Sequence, residues 1–506
     1  MADSTPLLSK SDSSDFDPSS KQPLSLDETI EQCIGDFRFS QLIQVLLVTF
    51  AWVFDSQQTF ISIFTDSEPK WHCTQPGSEP CSSATDVCHL PDHAWSWDDP
   101  ARTTIISDWN LQCENSFVKG LPASSFFLGC VLGGLFLATL GDSSLGRKNL
   151  LLLSCLLISI SSLFISGVGR ATVGSTSLVL ATELVGKRWR GQMGVACATT
   201  AMVGFLTLPG IGYLNRGESW RTLYLWISIP TVAYCVIVVF FVHESPRWLL
   251  VRGRKEEAIC TLKAISPTND KAKNMIMALS SAPTLEQESR NVDTFAAFRI
   301  LYQRKWALRR LSILLFMGCG IGTVYYGMPL SLGNLSFNLY LSVTLNALAE
   351  IPSSVITSLI VDRFNRKNLL LFFNMLSGIC SILCVVKGKL FTRIQIGLEL
   401  VSFSSSCTAY ILAHIYSIEL FPTSVRNSVL SLTRQSVVFG GVFSPVLVAA
   451  GRRNDFLSYG IFGLVVIFCG LFVLLLPETK GKKLCDTMDE EEESKEGSAC
   501  HGTTCA

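Results

Sequence analysis

At 506 residues, with 16% charged and 48% hydrophobic side chains, the chain falls short of the roughly one-quarter charged residues of soluble proteins. Its 41 Lys and Arg are balanced by 41 Asp and Glu, so it lacks the basic excess that a nucleic-acid partner needs, and no such partner is expected. With a mean hydropathy of +0.37, a soluble enzyme is excluded and the apolar surplus has to meet lipid.

Residues 1–38 are polar and Ser-rich without the apolar core of a signal peptide, and read as a cytoplasmic N-terminal tail. Within them Asp3-Ser4-Thr5-Pro6-Leu7-Leu8 has the spacing of an acidic dileucine sorting signal, which favours a vacuolar membrane, with the plasma membrane as the alternative. Residues 39–243 read as an N-terminal transmembrane bundle, with apolar blocks from Phe39 to Phe64, Ala123 to Leu140, Met193 to Tyr213 and Thr222 to Val242. An outer Cys-containing loop, 65–121, interrupts it. Residues 244–310 form a central cytoplasmic loop. Residues 311–476 read as a C-terminal transmembrane bundle with blocks at Leu311 to Leu330, Tyr340 to Val361, Asn368 to Val386, Ile394 to Tyr416, Val429 to Ala450 and Phe456 to Leu476. A cytoplasmic tail, 477–506, closes the chain. Each block is close to the roughly 20 residues that a helix needs to cross about 30 Å of hydrocarbon.

Charge gives the orientation. From Glu244 to Arg310 there are 13 Lys and Arg against 7 Asp and Glu, whereas from Asp66 to Leu121 there are 3 against 9. The basic loop stays cytoplasmic, and short basic clusters at Arg147-Lys148, Lys187-Arg188, Arg366-Lys367 and Lys482-Lys483 agree. Cys73, Cys81, Cys88 and Cys113 fall in the acidic loop, where an oxidising exterior or lumen suits two disulfides in any of three pairings.

The two halves repeat their punctuation. Arg147-Lys148, Glu183 to Arg190 and Glu244-Ser245-Pro246-Arg247 in the first half correspond to Arg366-Lys367, Glu419 to Arg426 and Pro477-Glu478-Thr479-Lys480 in the second. The spacing differs: Lys367 and Glu419 lie 52 positions apart, Lys148 and Glu183 only 35. Both flanking clusters are basic, so two crossings have to fit in the shorter stretch. The expectation is a shortened third span from Asn149 to Ser166 and a shortened fourth from Arg170 to Val185, turning at Gly167 and Gly169. A non-transporting shortened product is the alternative.

An ionisable group near the bilayer centre costs about 2.5 to 3.5 kcal/mol on insertion scales, so Asp55, Arg170, Glu350 and Arg434 stand out as substrate-binding candidates. Two carboxylates and two guanidinium groups suit an organic cation or a zwitterion. Tyr325 and Tyr326, beside Gly327 and Pro329 where the helix is expected to break, offer aromatic faces for an ammonium group; Trp52 and Phe54 are further candidates. The cytoplasmic charges read as gates: Asp142 and Asp362 beside Arg147 and Arg366, and Glu183 and Glu419 beside Arg190 and Arg426. No Walker loop, phosphate cradle or zinc spacing occurs, so no catalytic residue, cofactor or metal is expected. The expected partners are a small organic substrate, a coupled proton or sodium ion, and the bilayer.

Taken with the long Cys-bearing first loop containing Trp95-Ser96-Trp97, the stretches Pro122 to Gly129, Asp142 to Lys148, Glu244 to Trp248 and Phe439 to Pro445 resemble the plant-type organic cation/carnitine transporter family of the major facilitator superfamily. The resemblance implies an all-α integral membrane fold of two six-helix bundles working by alternating access on organic cations or carnitine-like zwitterions. It also implies that Glu350 binds the cation and that Arg170 matches a basic residue of the fourth span. The family's cation carriers have an acidic residue just before the Gly440-Gly441 pair; here Val438 stands there, with Arg434 about one turn earlier, which shifts the expectation towards zwitterions or anions. A sugar or phosphate facilitator, or a ligand-sensing membrane protein, is the competing reading.

Overall fold

The computed structural model describes residues 26–34, 37–74, 87–91, 93–100, 102–137, 145–161, 163–265, 277, 294–335, 337–385, 391–452, 454–481 and 488–492. Nine helices among them are long and apolar enough to cross a membrane. They are α1 (Phe39–Thr65), α2 (Ser116–Phe136), α4 (Leu163–Glu183), α5 (Arg190–Leu214), α6 (Trp220–Phe241), α7 (Lys305–Leu330), α8 (Leu339–Ile360), α10 (Phe391–Leu420) and α11 (Thr423–Gly451). Three shorter apolar helices, α3 (Arg147–Ile160), α9 (Arg366–Leu383) and α12 (Tyr459–Leu471), complete the two sets of six.

The third span is the short one. At 14 residues α3 rises about 21 Å, less than the hydrocarbon thickness, whereas α4 keeps 21 residues. The chain turns at Ser161 to Leu163, where Leu163 takes a φ of +53°, and not at Gly167 and Gly169. Those glycines lie inside α4 because packing demands them. A Cβ on Gly167 would sit 2.0 Å from the Phe126 oxygen of α2, and one on Gly169 would sit 2.6 Å from Leu157 Cβ of α3. Exposed Ile160, Phe164 and Ile165 keep the corner apolar, as a turn sunk in lipid requires.

Within the N-terminal half α2 and α3 pack on α4, and α1 on α5; within the C-terminal half α7 packs on α11 and α12, and α9 on α10. The halves meet along α2 and α11 and along α5 and α8. Helix α7 runs unbroken through Tyr325 and Tyr326, contrary to the break expected there. Pro329 falls in its last turn, and Gly327 makes room for the Phe462 ring.

The repeat read from the sequence has an atomic basis. Backbone N–H groups of Arg147 and Lys148, at the start of α3, donate to Glu244, and those of Arg366 and Lys367, at the start of α9, donate to Glu478. A carboxylate thus caps a helix N-terminus in each half, where the helix dipole favours negative charge. Lys148 Nζ donates to the Val239 oxygen and Lys367 Nζ to the Leu474 oxygen, repeating the pattern once more. Burial pushes the Glu244 carboxyl up, against the hydrogen bonds from Ser245, Lys148 and Arg147.

Outside the bundle, β1 (Trp71–Cys73) pairs antiparallel with β2 (Trp95–Trp97), placing His72 opposite Ser96. His72 Nδ1 lies 2.6 Å from Asp98 Oδ1. Cys88 and Cys113 form a disulfide and Cys73 is disulfide-bonded; Cys81 lies outside the described residues, as do Asp142 and the segment Asp3 to Leu8.

Candidate functional site

The four intramembrane charges singled out in the sequence separate into one ion pair and two single charges. Asp55 on α1 is 2% exposed, and Arg170 on α4 faces it with Nε–Oδ1 and Nη2–Oδ2 both 3.4 Å. This pair neutralises itself within the N-terminal half. The Arg170 guanidinium carbon also lies 5.8 Å from the centre of the Tyr326 ring of α7, so the pair abuts the other half.

Glu350 is the twelfth of the 22 residues of α8, near mid-helix. Its Oε1 accepts from Tyr325 Oη at 3.3 Å, and among the described residues it meets no Lys or Arg. Tyr325 stacks on Tyr410 of α10 with centroids 5.0 Å apart and planes at 14°, and meets Tyr326 edge-on at 5.0 Å. Tyr410 in turn touches His414, at 4.4 Å, and lies within electrostatic range of Arg434, Arg170 and Asp55. A carboxylate edged by tyrosine faces has the chemistry to hold an ammonium group.

Arg434 of α11 crosses to the other half. Its guanidinium carbon stands 5.6 Å from the centre of the Trp52 ring of α1, and a Cβ on Gly174 of α4 would come within 2.3 Å of its Nη2, so the guanidinium sits over the bare Gly174 backbone and would have to shift for a larger residue. Among the described residues no carboxylate pairs with Arg434. Trp52 therefore lies beside Arg434, whereas Phe54 packs into the core with Phe50 and Tyr234. Val438, at the family's acidic position, is buried in the apolar core at 5% exposure.

Sequence reasoning passed over Glu399 and His414. Both lie inside the Ile394 to Tyr416 block, so the insertion-cost argument applies to them as much as to Glu350. Glu399 of α10 is fully buried and accepts from Asn346 Nδ2 at 3.0 Å.

The charges expected to act as gates pair partly as expected. Arg366 reaches Glu419 at 3.2 Å and Asp362 at 3.5 Å. In the first half Arg147 takes Glu183 at 3.5 Å, while Arg190 turns to Glu31 of the helix Leu26–Ile34 at 3.7 Å. Arg190 is thus not Glu183's partner, because the N-terminal helix supplies a nearer carboxylate. Nor is Arg426 the partner of Glu419, which is already taken by Arg366 and Thr479 Oγ1; Arg426 Nε and Nη2 are buried without hydrogen bonds. Among the described residues, no ion pair joins the two halves at this end.

At the outer end the halves are tied. Arg452, just past α11, donates to the backbone oxygen of Asp66 at 2.6 Å and lies 3.7 Å from Glu68. Phe64 of α1 stacks on Tyr340 of α8 at 5.5 Å. A cavity of about 260 Å³ lined by Asp66, Glu68, Lys119, Asn334 and Arg452 lies at this rim, away from Glu350.

A family profile described as "Sugar (and other) transporter" matches residues 105–490. The chain is 54% identical to organic cation/carnitine transporter 3 of Arabidopsis thaliana, covering 97% of this chain and 98% of that protein. It is 51% identical to organic cation/carnitine transporter 2 of the same plant, with 97% of each covered. The 511 positions aligned with the first of these outnumber the 506 residues here, so that alignment includes positions this chain lacks. Among solved structures, the inward-open xylose transporter XylE from E. coli aligns with a TM-score of 0.62 at 18% identity, over 90% of this chain and all of that one, which establishes the fold. The chain belongs to the organic cation/carnitine transporter family of the major facilitator superfamily, and is a multi-pass membrane protein.

Proposed function

We propose that the protein carries carnitine-like zwitterions, and organic cations with lower preference, across its membrane by alternating access. The observation that supports this most is the pair of single, opposite charges: Glu350 with its tyrosine faces for the ammonium end, and Arg434 over Trp52 for a carboxylate. A guanidinium binds a carboxylate through two parallel N–H donors, which is the geometry a zwitterion's acid end requires. The Asp55–Arg170 pair is already neutral and abuts Tyr326, the neighbour of Tyr325. Rocking of residues 39–243 against 311–476, with the outer tie closed and the cytoplasmic charges paired inside each half, gives a state open towards the cytoplasm. The dileucine signal supports a vacuolar membrane, with the plasma membrane as alternative.

Uptake of radiolabelled carnitine and tetraethylammonium into cells expressing the chain tests the assignment. Glu350→Gln is expected to reduce both at least about tenfold, the equivalent of about 1.4 kcal/mol of lost cation binding, with membrane insertion intact. Arg434→Gln is expected to reduce carnitine uptake by a similar factor and to spare tetraethylammonium, which has no carboxylate. Equal loss of both substrates in Arg434→Gln would remove the zwitterion reading.

The 14-residue α3 favours a second reading, in which the shortened span leaves a folded protein that binds substrate without carrying it.

A further inference from the structure

Glu399 and Asn346 are fully buried on adjacent helices, and between them they hold two acceptors that lack a donor. The Asn346 amide donates to the Ser342 oxygen at 3.2 Å and to Glu399 Oε2 at 3.0 Å. That leaves Glu399 Oε1 and Asn346 Oδ1 buried and without partners. Among the described residues no Lys or Arg pairs with Glu399. A carboxylate there would be a buried charge with a single hydrogen bond, an arrangement that apolar surroundings strongly disfavour. One proton on Oε1 removes the charge and supplies the donor that this pair of side chains is missing.

We propose that Glu399 is the proton-exchange site of this protein, protonated when the substrate site holds no cation and ionised when it does, so that transport is an exchange of substrate cation for proton. The proposal rests on the cation-transport reading above.

The placement explains the coupling. Asn346 lies one helical turn before Glu350 on α8, and so on the same face. Cys407 on α10 lies within electrostatic range of both carboxyl groups. A cation bound at Glu350 therefore brings positive charge close to the Glu399–Asn346 pair and favours the ionised form. In that step the carboxyl O–H bond breaks, the proton passes to water on the open side, and the oxygen keeps the electron pair. The substrate's charge replaces the proton's in the C-terminal half. An ionised Glu399 then needs donors that the closed α8–α10 contact lacks, which favours the arrangement in which water reaches it.

The other titratable groups within electrostatic range of Glu399 are Cys384, just past α9, and Cys407 on α10 itself; beyond them lie Cys380 of α9, Glu350 of α8, its hydrogen-bond donor Tyr325 of α7, and Tyr410 of α10, stacked on Tyr325. From α11 the charged group is Arg434, which is turned towards Trp52.

The full chain in proteoliposomes, with tetraethylammonium as probe and a trapped pH dye, tests this. Tetraethylammonium movement is expected to drive proton movement in the opposite direction, and an imposed gradient of one pH unit to change accumulation by about tenfold. In Glu399→Gln the ratio of protons to cations moved falls to near zero. Asn346→Ala removes a donor to the ionised form, so the pH midpoint of uptake moves upward. Wild-type net uptake of tetraethylammonium without proton movement would overturn the exchange and leave the transport reading standing. Absence of counterflow would overturn both. Proton movement at the wild-type ratio in Glu399→Gln, or an unmoved midpoint in Asn346→Ala, would take the site away from this pair.

Discussion

Arg452 donates from Nη2 to the backbone oxygen of Asp66 at 2.6 Å, tying the outer end of α11 to the end of α1 across the two halves. Its Nε lies 3.7 Å from Glu68, to which Lys119 of α2 also comes within 3.8 Å. The alternating access proposed above requires this tie to open when the outer face opens. Arg452→Ala is expected to raise the outward-open population, so that a cysteine at Gly333, in the wall of the outer cavity, reacts with an impermeant thiol reagent about tenfold faster, for about 1.4 kcal/mol of lost contact. An unchanged rate would place the outer latch elsewhere.

Breaking the Asp55–Arg170 pair leaves a buried guanidinium without its counter-charge, because both side chains are nearly inaccessible. Asp55→Asn is expected to destabilise the detergent-solubilised protein by about 3 to 5 kcal/mol, and Asp55→Asn with Arg170→Gln to recover most of that loss. Thermal unfolding of the two single variants and the double one reads out the cycle. A double variant as unstable as the sum of the singles would mean that the two groups do not act as a pair.

Asp108 ties the outer segment to the start of α6. Burial pushes its carboxyl up, but hydrogen bonds from Trp220 Nε1, at 3.2 Å, and from Arg221, at 2.8 Å, outweigh this and hold it below the usual carboxylate range. A carboxyl depressed in the folded state contributes stability that is present above its unfolded value and is lost as pH falls through its lower folded value. Protease cleavage of the outer loop should therefore accelerate on strong acidification in the wild type, and Asp108→Asn should cleave faster at neutral pH with a flatter acid response. A variant with the wild-type pH profile would assign the response to other groups.

The short third span has a direct test. Inserting about 17 apolar residues at the Ser161–Leu163 corner brings α3 and its link to the length of an ordinary pair of crossings. If the 14-residue helix is what limits the protein, uptake of carnitine appears or rises after insertion. Equal uptake before and after would show that the sunken corner is compatible with transport.

Much of this molecule was fixed by composition and punctuation. The apolar blocks dictate helices, since a chain in lipid has to satisfy every backbone N–H and C=O within itself. The basic clusters give the expected orientation, and the recurrence of Arg147-Lys148 with Glu244 as Arg366-Lys367 with Glu478 marks two halves built alike. The insertion cost of charge singled out Asp55, Arg170, Glu350 and Arg434 before any helix was placed. The same argument applies to Glu399, which sequence reasoning passed over among the apolar residues of α10.

Only the tertiary structure decided which charges neutralise each other. Arg170 takes Asp55, from a segment more than a hundred residues away, while Glu350 and Arg434 meet no opposite charge. Arg190 takes Glu31 in place of Glu183, and the turn between α3 and α4 falls at Leu163 because Gly167 and Gly169 are needed where helices touch. The physical reason is common to all of these. A helix with lipid on one side and protein on the other is apolar around most of its circumference, so its sequence specifies that it crosses but not how it is rotated about its own axis. That rotation, set by close packing against neighbours distant in the chain, is what brings one charge to its partner and leaves another without one.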